Sequence, residues 1–188
     1  MYQLDKSTKI LLDSDVIRHF IKGQQLQILY SLYGNHLVFI DVVKNELFRS
    51  KQIVNQISNF ISFNKIQVLT FPADNIDILK EFSRLKKRYG DGESACMAVA
   101  KFQKHIIASS NLRDIRLYCE ENKIAYITTM DILLDAMDKE KLTEKECNRF
   151  ISQVKERKSK LPVDTIGEYK KLRELLYLHR ESIRPLRP

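Results

Sequence analysis

At 188 residues, with 44% hydrophobic and 30% charged side chains, the chain has room for one mixed domain plus an extension and is too polar for a membrane bundle. No apolar run nears the ~20 residues a bilayer span needs, and the first residues lack the basic-then-apolar layout of a signal peptide, so a cytoplasmic protein with no membrane partner is expected. The net charge of +8 is uneven: from residue 139 onward there are 14 Lys and Arg against 8 Asp and Glu, a balance that attracts nucleic-acid phosphate and is equally that of a solvated basic helix face.

In chain order, residues 9–13 read as a buried strand ending at Asp13, and 14–21 as a short helix with Ser14 or Asp15 near its cap. The spacing of Leu26, Leu29, Tyr30 and Tyr33 predicts a helix over 24–33, stopped at Gly34-Asn35. Residues 36–40 are a second strand ending at Asp41. Helices follow over 42–49, which carries Glu46, and over 53–62. Residues 66–71 form a third strand, closed by Pro72. A long amphipathic helix is predicted over 74–89, with Ile78, Leu79, Phe82 and Leu85 as its inward stripe.

Gly90-Asp91-Gly92 then leads into a helix over 93–103 made of small apolar residues, which should be buried with Glu93 at its mouth. Strand 105–109, helix 111–122, strand 124–128 and helix 130–137 continue the alternation. Thr143-Glu144-Lys145-Glu146 is a capping box, and Thr165-Ile166-Gly167-Glu168 looks like a second one opening a helix to about His179. Residues 184–188 should fray.

Strands alternating with helices imply βαβ units and a mostly parallel five-stranded sheet. Such sheets bind ligands at the carboxyl ends of their strands, where this chain repeatedly places polar residues: Asp13, Asp41, Ser109-Ser110 and Thr128-Thr129.

Three acids stand out. Asp13 is delivered to the sheet edge by Ile10-Leu11-Leu12, although a strand-end aspartate is also an ordinary helix cap. Glu46 flanks the apolar stripe Val42, Val43 and Leu47, although most helical glutamates face solvent. Glu93 opens the buried helix, although a first-turn acid also simply complements the helix dipole. Gly90 and Gly92 permit close approach of backbone or phosphate. The fourth position is open between Asn111 and Asp114, with Asp131 as a further candidate. Asp15 and Ser110 are candidates for supporting the site.

Converging carboxylates can hold a hard divalent cation, which activates water and neutralises phosphate charge. Arg84, Lys86, Lys87 and Arg88, with Tyr89 among them and Arg113 on a later helix, are candidate nucleic-acid contacts. The same residues would also complement a helix C-terminus. Cys96, Cys119 and Cys147 have no metal-ligand spacing and fall on predicted helices, as buried or inert thiols in a reducing compartment would. No His-Glu-x-x-His pattern exists, which argues against a zinc hydrolase.

The order apolar strand–Asp13, Val42-Val43-x-x-Glu46-Leu47, Gly92-Glu93-x-Ala95-x-x-x-x-Ala100, then apolar strand–Ser110–Asn111-x-x-Asp114 resembles the PIN-domain nucleases. The likeness covers roughly residues 8–138. It implies a three-layer α/β/α domain over 1–138; residues 139–188, which it does not explain, read from their charge and capping pattern as a basic helical extension. It also implies an endoribonuclease using Mg2+ or Mn2+, with Asp13, Glu46 and Glu93 on three of the family's metal-binding positions. The family's fourth acid follows the fourth strand's Ser/Thr directly; this chain has Asn111 there and Asp114 three residues on. Some PIN proteins are toxins paired with an antitoxin, so an RNA substrate and a protein antitoxin are implied partners. The extra C-terminal helices could equally pair with a partner or form a homodimer.

Two other readings remain open on sequence. An incomplete site would make the chain an RNA- or protein-binding scaffold of the same fold. Asp13-Ser14-Asp15 also fits the strand-then-Asp-x-Asp signature of haloacid-dehalogenase-like phosphatases, with Gly90-Asp91-Gly92 as a superficial match to their late metal motif.

Overall fold

The structure is a computed structural model that describes residues 7–182; the side chains of 112–114 and 176–182, and residues 184–188 predicted to fray, lie outside the description. It comprises two compact units, Met1–Thr129 and Met130–Pro188.

The first unit holds all five predicted strands: β1 (Ile10–Leu12), β2 (Leu37–Ile40), β3 (Gln67–Leu69), β4 (Ile106–Ala108) and β5 (Tyr126–Ile127). They pair in parallel in the order β3-β2-β1-β4-β5. Leu11 lies against Val38 on one side and Ile107 on the other. Every residue of β1, β2 and β4 is buried, as a sheet covered on both faces requires. Among the described residues, seven α-helices connect or follow these strands: α1 (Ser14–Lys22), α2 (Leu26–Tyr33), α3 (Asp41–Phe48), α4 (Val54–Phe63), α5 (Ile76–Leu85), α6 (Asp91–Gln103) and α7 (Leu112–Asn122). The result is the expected three-layer α/β/α arrangement.

The chain enters at the middle of the sheet, winds outward through β2 and β3, then returns to the other side of β1 for β4 and β5. The β1–β4 boundary is therefore the point where the winding reverses, and its carboxyl edge is the natural ligand crevice of an open parallel sheet. Asp13 N–H donates to the Ala108 carbonyl at 3.0 Å, which closes that edge.

The helix α6 is the buried element that its composition predicts. Eight of its residues, from Gly92 to Ala100 with Glu93 excepted, are buried, and they pack against α3, α5 and strands β1, β2 and β4. Small side chains allow one helix to meet this many neighbours.

The second unit contains α8 (Thr129–Asp138), whose first residue belongs to the first unit, α9 (Glu144–Glu156) and α10 (Ile166–Ser182). The predicted capping box is present: Glu146 N–H donates to Thr143 Oγ1 at 3.3 Å, and Thr143 N–H donates to Glu146 Oε2 at 2.8 Å. The second predicted box forms by half. Glu168 N–H reaches Thr165 Oγ1 at 3.2 Å, but the Glu168 carboxylate turns to the N–H of Asp164. Cys147, Phe150, Ile151 and Val154 bury the inner face of α9, which packs on α10. Among the described residues no helix is long and apolar enough to cross a membrane.

Three local expectations need correction. The predicted 74–89 helix is shorter, with Asn75 as its cap: the Asn75 side-chain Oδ1 accepts from Asp77 and Ile78 N–H at 3.1 Å. Its buried positions are Ile78, Glu81 and Leu85, whereas Leu79 is 41% exposed. The stripe rotates onto a glutamate because three donors neutralise it there. The helix after β1 is capped by Asp13 itself, whose Oδ1 accepts from Ser14 N–H at 2.7 Å. Of the two glycines before α6, only Gly92 meets close neighbours; an added Cβ at Gly90 would find open space.

Candidate functional site

Asp13 ends β1, Ser14 and Asp15 begin α1, Glu46 lies in α3, and Gly92 and Glu93 lie in the first turn of α6. The fold brings these together through a chain of contacts. Ser14 Oγ donates to Glu46 Oε1 at 2.8 Å, linking the residue next to Asp13 with α3. A Cβ at Gly92 would lie 2.7 Å from Glu46 Oε2 and 3.2 Å from Val43 Cγ2. Glycine thus lets the α6 backbone sit directly against the Glu46 carboxylate, one residue before Glu93. Ser14 is a site residue that sequence reasoning treated only as a possible cap.

Asp15 ties the two central strands. Its Oδ2 accepts from Ser110 N–H at 2.8 Å and from Ser109 Oγ at 3.4 Å, and its Oδ1 accepts from Val16 N–H at 2.6 Å. The Ser110 hydroxyl exchanges a hydrogen bond with Thr129 Oγ1, which also meets His19 Nδ1 at 2.9 Å. Asp15 and Ser110 are thus joined directly to each other, next to Asp13 and the end of β4. The His19–Thr129 link extends that support and gave no signal in sequence.

The acids act on one another electrostatically. Asp13 is 4% exposed, and burial first, then the charges of Asp15 and Glu93, push its carboxyl well above the usual range. Burial pushes the Asp15 carboxyl up to about 6, against hydrogen bonds that pull it down, the Ser110 N–H foremost. The most telling group is Cys96, in the middle of α6. Burial raises its thiol, and the charges of Asp13, Asp15, Glu93 and Glu46 raise it further. One buried thiol senses four carboxylates from three helices and a strand end. It stays protonated and offers no thiolate ligand.

These side chains are not drawn up into a ready ligand sphere. Among the described residues, no three of the His, Cys, Asp or Glu side chains stand together so as to hold a metal ion. Two of the carboxylate oxygens are already engaged, Asp13 Oδ1 by Ser14 N–H and Glu46 Oε1 by Ser14 Oγ. The donor chemistry nonetheless fits a hard divalent cation, because it consists of carboxylate oxygens around a neutral thiol, at a desolvated edge where excess negative charge is costly.

Of the remaining predicted residues, Asn111 begins α7 as its cap, with its N–H on Ser109 Oγ at 3.3 Å. The side chains of Asp114 and Arg113 lie outside the described residues. Asp131 is engaged within the second unit, accepting from the Tyr169 hydroxyl at 2.9 Å with Arg173 at 3.5 Å. Asp41 is structural: its Oδ1 accepts from Val42 and Phe71 N–H. Among the basic residues, Lys86 pairs with Asp91 at 3.0 Å, Arg84 grips Glu81, and Lys87 and Arg88 are exposed. Gly90-Asp91-Gly92 joins two helices rather than following a strand, which removes the phosphatase-like reading of that motif.

Comparison with known proteins agrees with this fold. The family model DUF3368, described as a PIN domain, matches residues 9–173. That match covers every acid of the site and runs on through α9 into α10. No curated protein matches the chain.

Proposed function

The chain belongs to the PIN-domain family, and we propose that it is a ribonuclease that hydrolyses RNA phosphodiester bonds with Mg2+ or Mn2+ held by Asp13, Glu46 and Glu93. PIN domains are generally nucleases and typically use divalent metal ions. The observation that carries the reading is that the Glu46 carboxylate is met by the α6 backbone at Gly92, next to Glu93, and by the hydroxyl of Ser14, next to Asp13, at the carboxyl edge of the β1–β4 boundary.

A bound divalent ion supplies an acidified water and charge neutralisation on the scissile phosphate. The chain's own residues supply the rest. Asp13, Glu46 and Glu93 present carboxylate oxygens from three separate elements. Ser14 holds Glu46 in place through its hydroxyl. Asp15 locks the end of β1 to the end of β4 through Ser110, so the edge carrying Asp13 is rigid. Asp114, or Asn111 through its neutral oxygen, completes the set from α7. No nucleophilic Ser, Cys or His is required.

The test is single-stranded RNA cleavage in Mg2+ or Mn2+ by the protein and by its Asp13→Asn variant. Activity should fall by more than ~100-fold, since even outer groups of metal sites contribute 10- to 100-fold. A folded Asp13→Asn protein that cleaves normally would remove this site from the reaction. The scaffold reading, favoured by Asn111 standing where the family places an acid, predicts RNA binding with no metal-dependent cleavage.

A further inference from the structure

Glu81 takes no part in the acidic site, yet it gathers donors from three helices. It is 9% exposed on α5. Its carboxylate accepts from Arg84 through both oxygens, Nε at 3.0 Å and Nη2 at 2.8 Å. It also accepts from Lys101 Nζ on α6 at 3.0 Å and from the Tyr118 hydroxyl on α7 at 2.7 Å. A buried acid needs such partners. Their arrangement also fixes the orientation of Arg84 and Tyr118.

Beside them is a pocket of about 140 Å³, whose walls include Arg84, Arg88, Tyr89, Leu117, Tyr118 and Glu121. That volume is close to the ~150 Å³ cavity that accepts benzene, so it suits one planar ring. Tyr118 has its hydroxyl turned away to Glu81, which leaves its ring in the wall. Arg84 lies 6.0 Å from the Tyr118 ring centroid and Arg88 5.6 Å from that of Tyr89. Leu117 is 65% exposed and supplies apolar contact. Arginines interleaved with aromatic rings are the composition of single-stranded nucleic-acid grooves, where bases stack and guanidiniums meet phosphates. Glu121 adds an acceptor for a base's exocyclic amine. Tyr89 stands four residues before Glu93, so the turn into α6 links this pocket to the acidic site.

We propose that the pocket between the end of α5 and α7 is a single-nucleotide subsite, which stacks one RNA base on Tyr89, engages its phosphate through Arg84 and Arg88, and favours amine-bearing cytosine over uracil through Glu121. The subsite rests on the RNA-directed reading above and deepens it: it names where a base outside the scissile bond is held.

The chain contains no tryptophan, so Tyr89→Trp in the full chain gives one fluorescent reporter. With divalent ions chelated to prevent cutting, a cytidine decamer should quench that emission, a uridine decamer should bind more weakly, and an abasic strand of equal length should not quench. In parallel, Tyr89→Ala should weaken cytidine-decamer binding about tenfold, within the range of one stacked base. With metal present it should raise KM by a similar factor and leave kcat unchanged. Equal quenching by the abasic strand would overturn the subsite, as would unchanged affinity and KM in folded Tyr89→Ala, or binding by an acidic protein in place of RNA. The two proposals fail separately. Base-dependent quenching without metal-dependent cleavage refutes the ribonuclease reading alone; cleavage indifferent to Tyr89 refutes the subsite alone.

Discussion

Asp13 and Glu81 are both buried acids of the first unit, 4% and 9% exposed, and their carboxyls move in opposite directions. Glu81 is held down to about 2, by Arg84 first and against its own burial, with Tyr118 and Lys101 adding to the pull. Asp13 is pushed up by burial, by Asp15 and by Glu93, with Ser14 N–H and the Ser109 hydroxyl opposing. Burial is therefore common to both, and the neighbours decide. Around Glu81 the protein supplies its own cations. Around Asp13 it supplies more anions and leaves positive charge to come from outside. A fold keeps such a repulsive cluster when the cluster is used in binding.

Several substitutions would sharpen or break this contrast. The largest effect is on catalysis: neutralising an acid of the repulsive cluster, Glu93→Gln, should lower metal-dependent RNA cleavage more than ~100-fold, read by gel or fluorescent-substrate assay. Gly92→Ala should come next. Its Cβ would force Glu46 Oε2 and Val43 Cγ2 aside, and a displacement on this scale lowers rates by roughly 10- to 100-fold. Its stability should shift by less than ~1 kcal/mol, because alanine is the better helix former. A Gly92→Ala protein with full activity would show that the Glu46 contact is dispensable.

The satisfied cluster should behave in the reverse way. Glu81→Gln should reduce stability by about 2 kcal/mol, a figure discounted because Arg84 is largely solvent-exposed, measured by urea unfolding near neutral pH. Because the folded carboxyl of Glu81 sits near 2 against an ordinary 4.5, its contribution is complete above pH about 4.5 and is lost as pH falls toward about 2. The variant should lack that part of the acid-unfolding profile. The smallest effect is the mirror image. Asp13→Asn should stabilise the metal-free protein by about 1 kcal/mol, since it removes a buried, repelled charge, seen as a higher Tm. Destabilisation by Asp13→Asn would mean that the carboxylate is paired rather than repelled.

What could be read from sequence follows the same division. The five strands and the buried α6 were legible because apolar runs end abruptly at polar residues, and because Ser, Ala, Cys and Val in one helix have no reason to face water; Glu46 and Glu93 stood out chiefly through the family resemblance. Glu81 was not legible. Taken alone, a charged residue at an inward position reads as solvent-facing, and its neutralisation depends on Lys101 and Tyr118 from α6 and α7. The choice between Gly90 and Gly92 was hidden for a related reason: both are glycines before a helix, and only the approach of α3 makes one of them necessary. Ser14 showed the limit of cap rules. Its hydroxyl serves Glu46, while the capping falls to Asp13.

The most direct test is calorimetric titration of Mn2+ into the intact chain, Asp13→Asn and Glu81→Gln. The account predicts saturable binding by the wild type, at least about tenfold weaker binding by Asp13→Asn, and wild-type affinity in Glu81→Gln. Equal Mn2+ affinity in the wild type and a folded Asp13→Asn protein would contradict it.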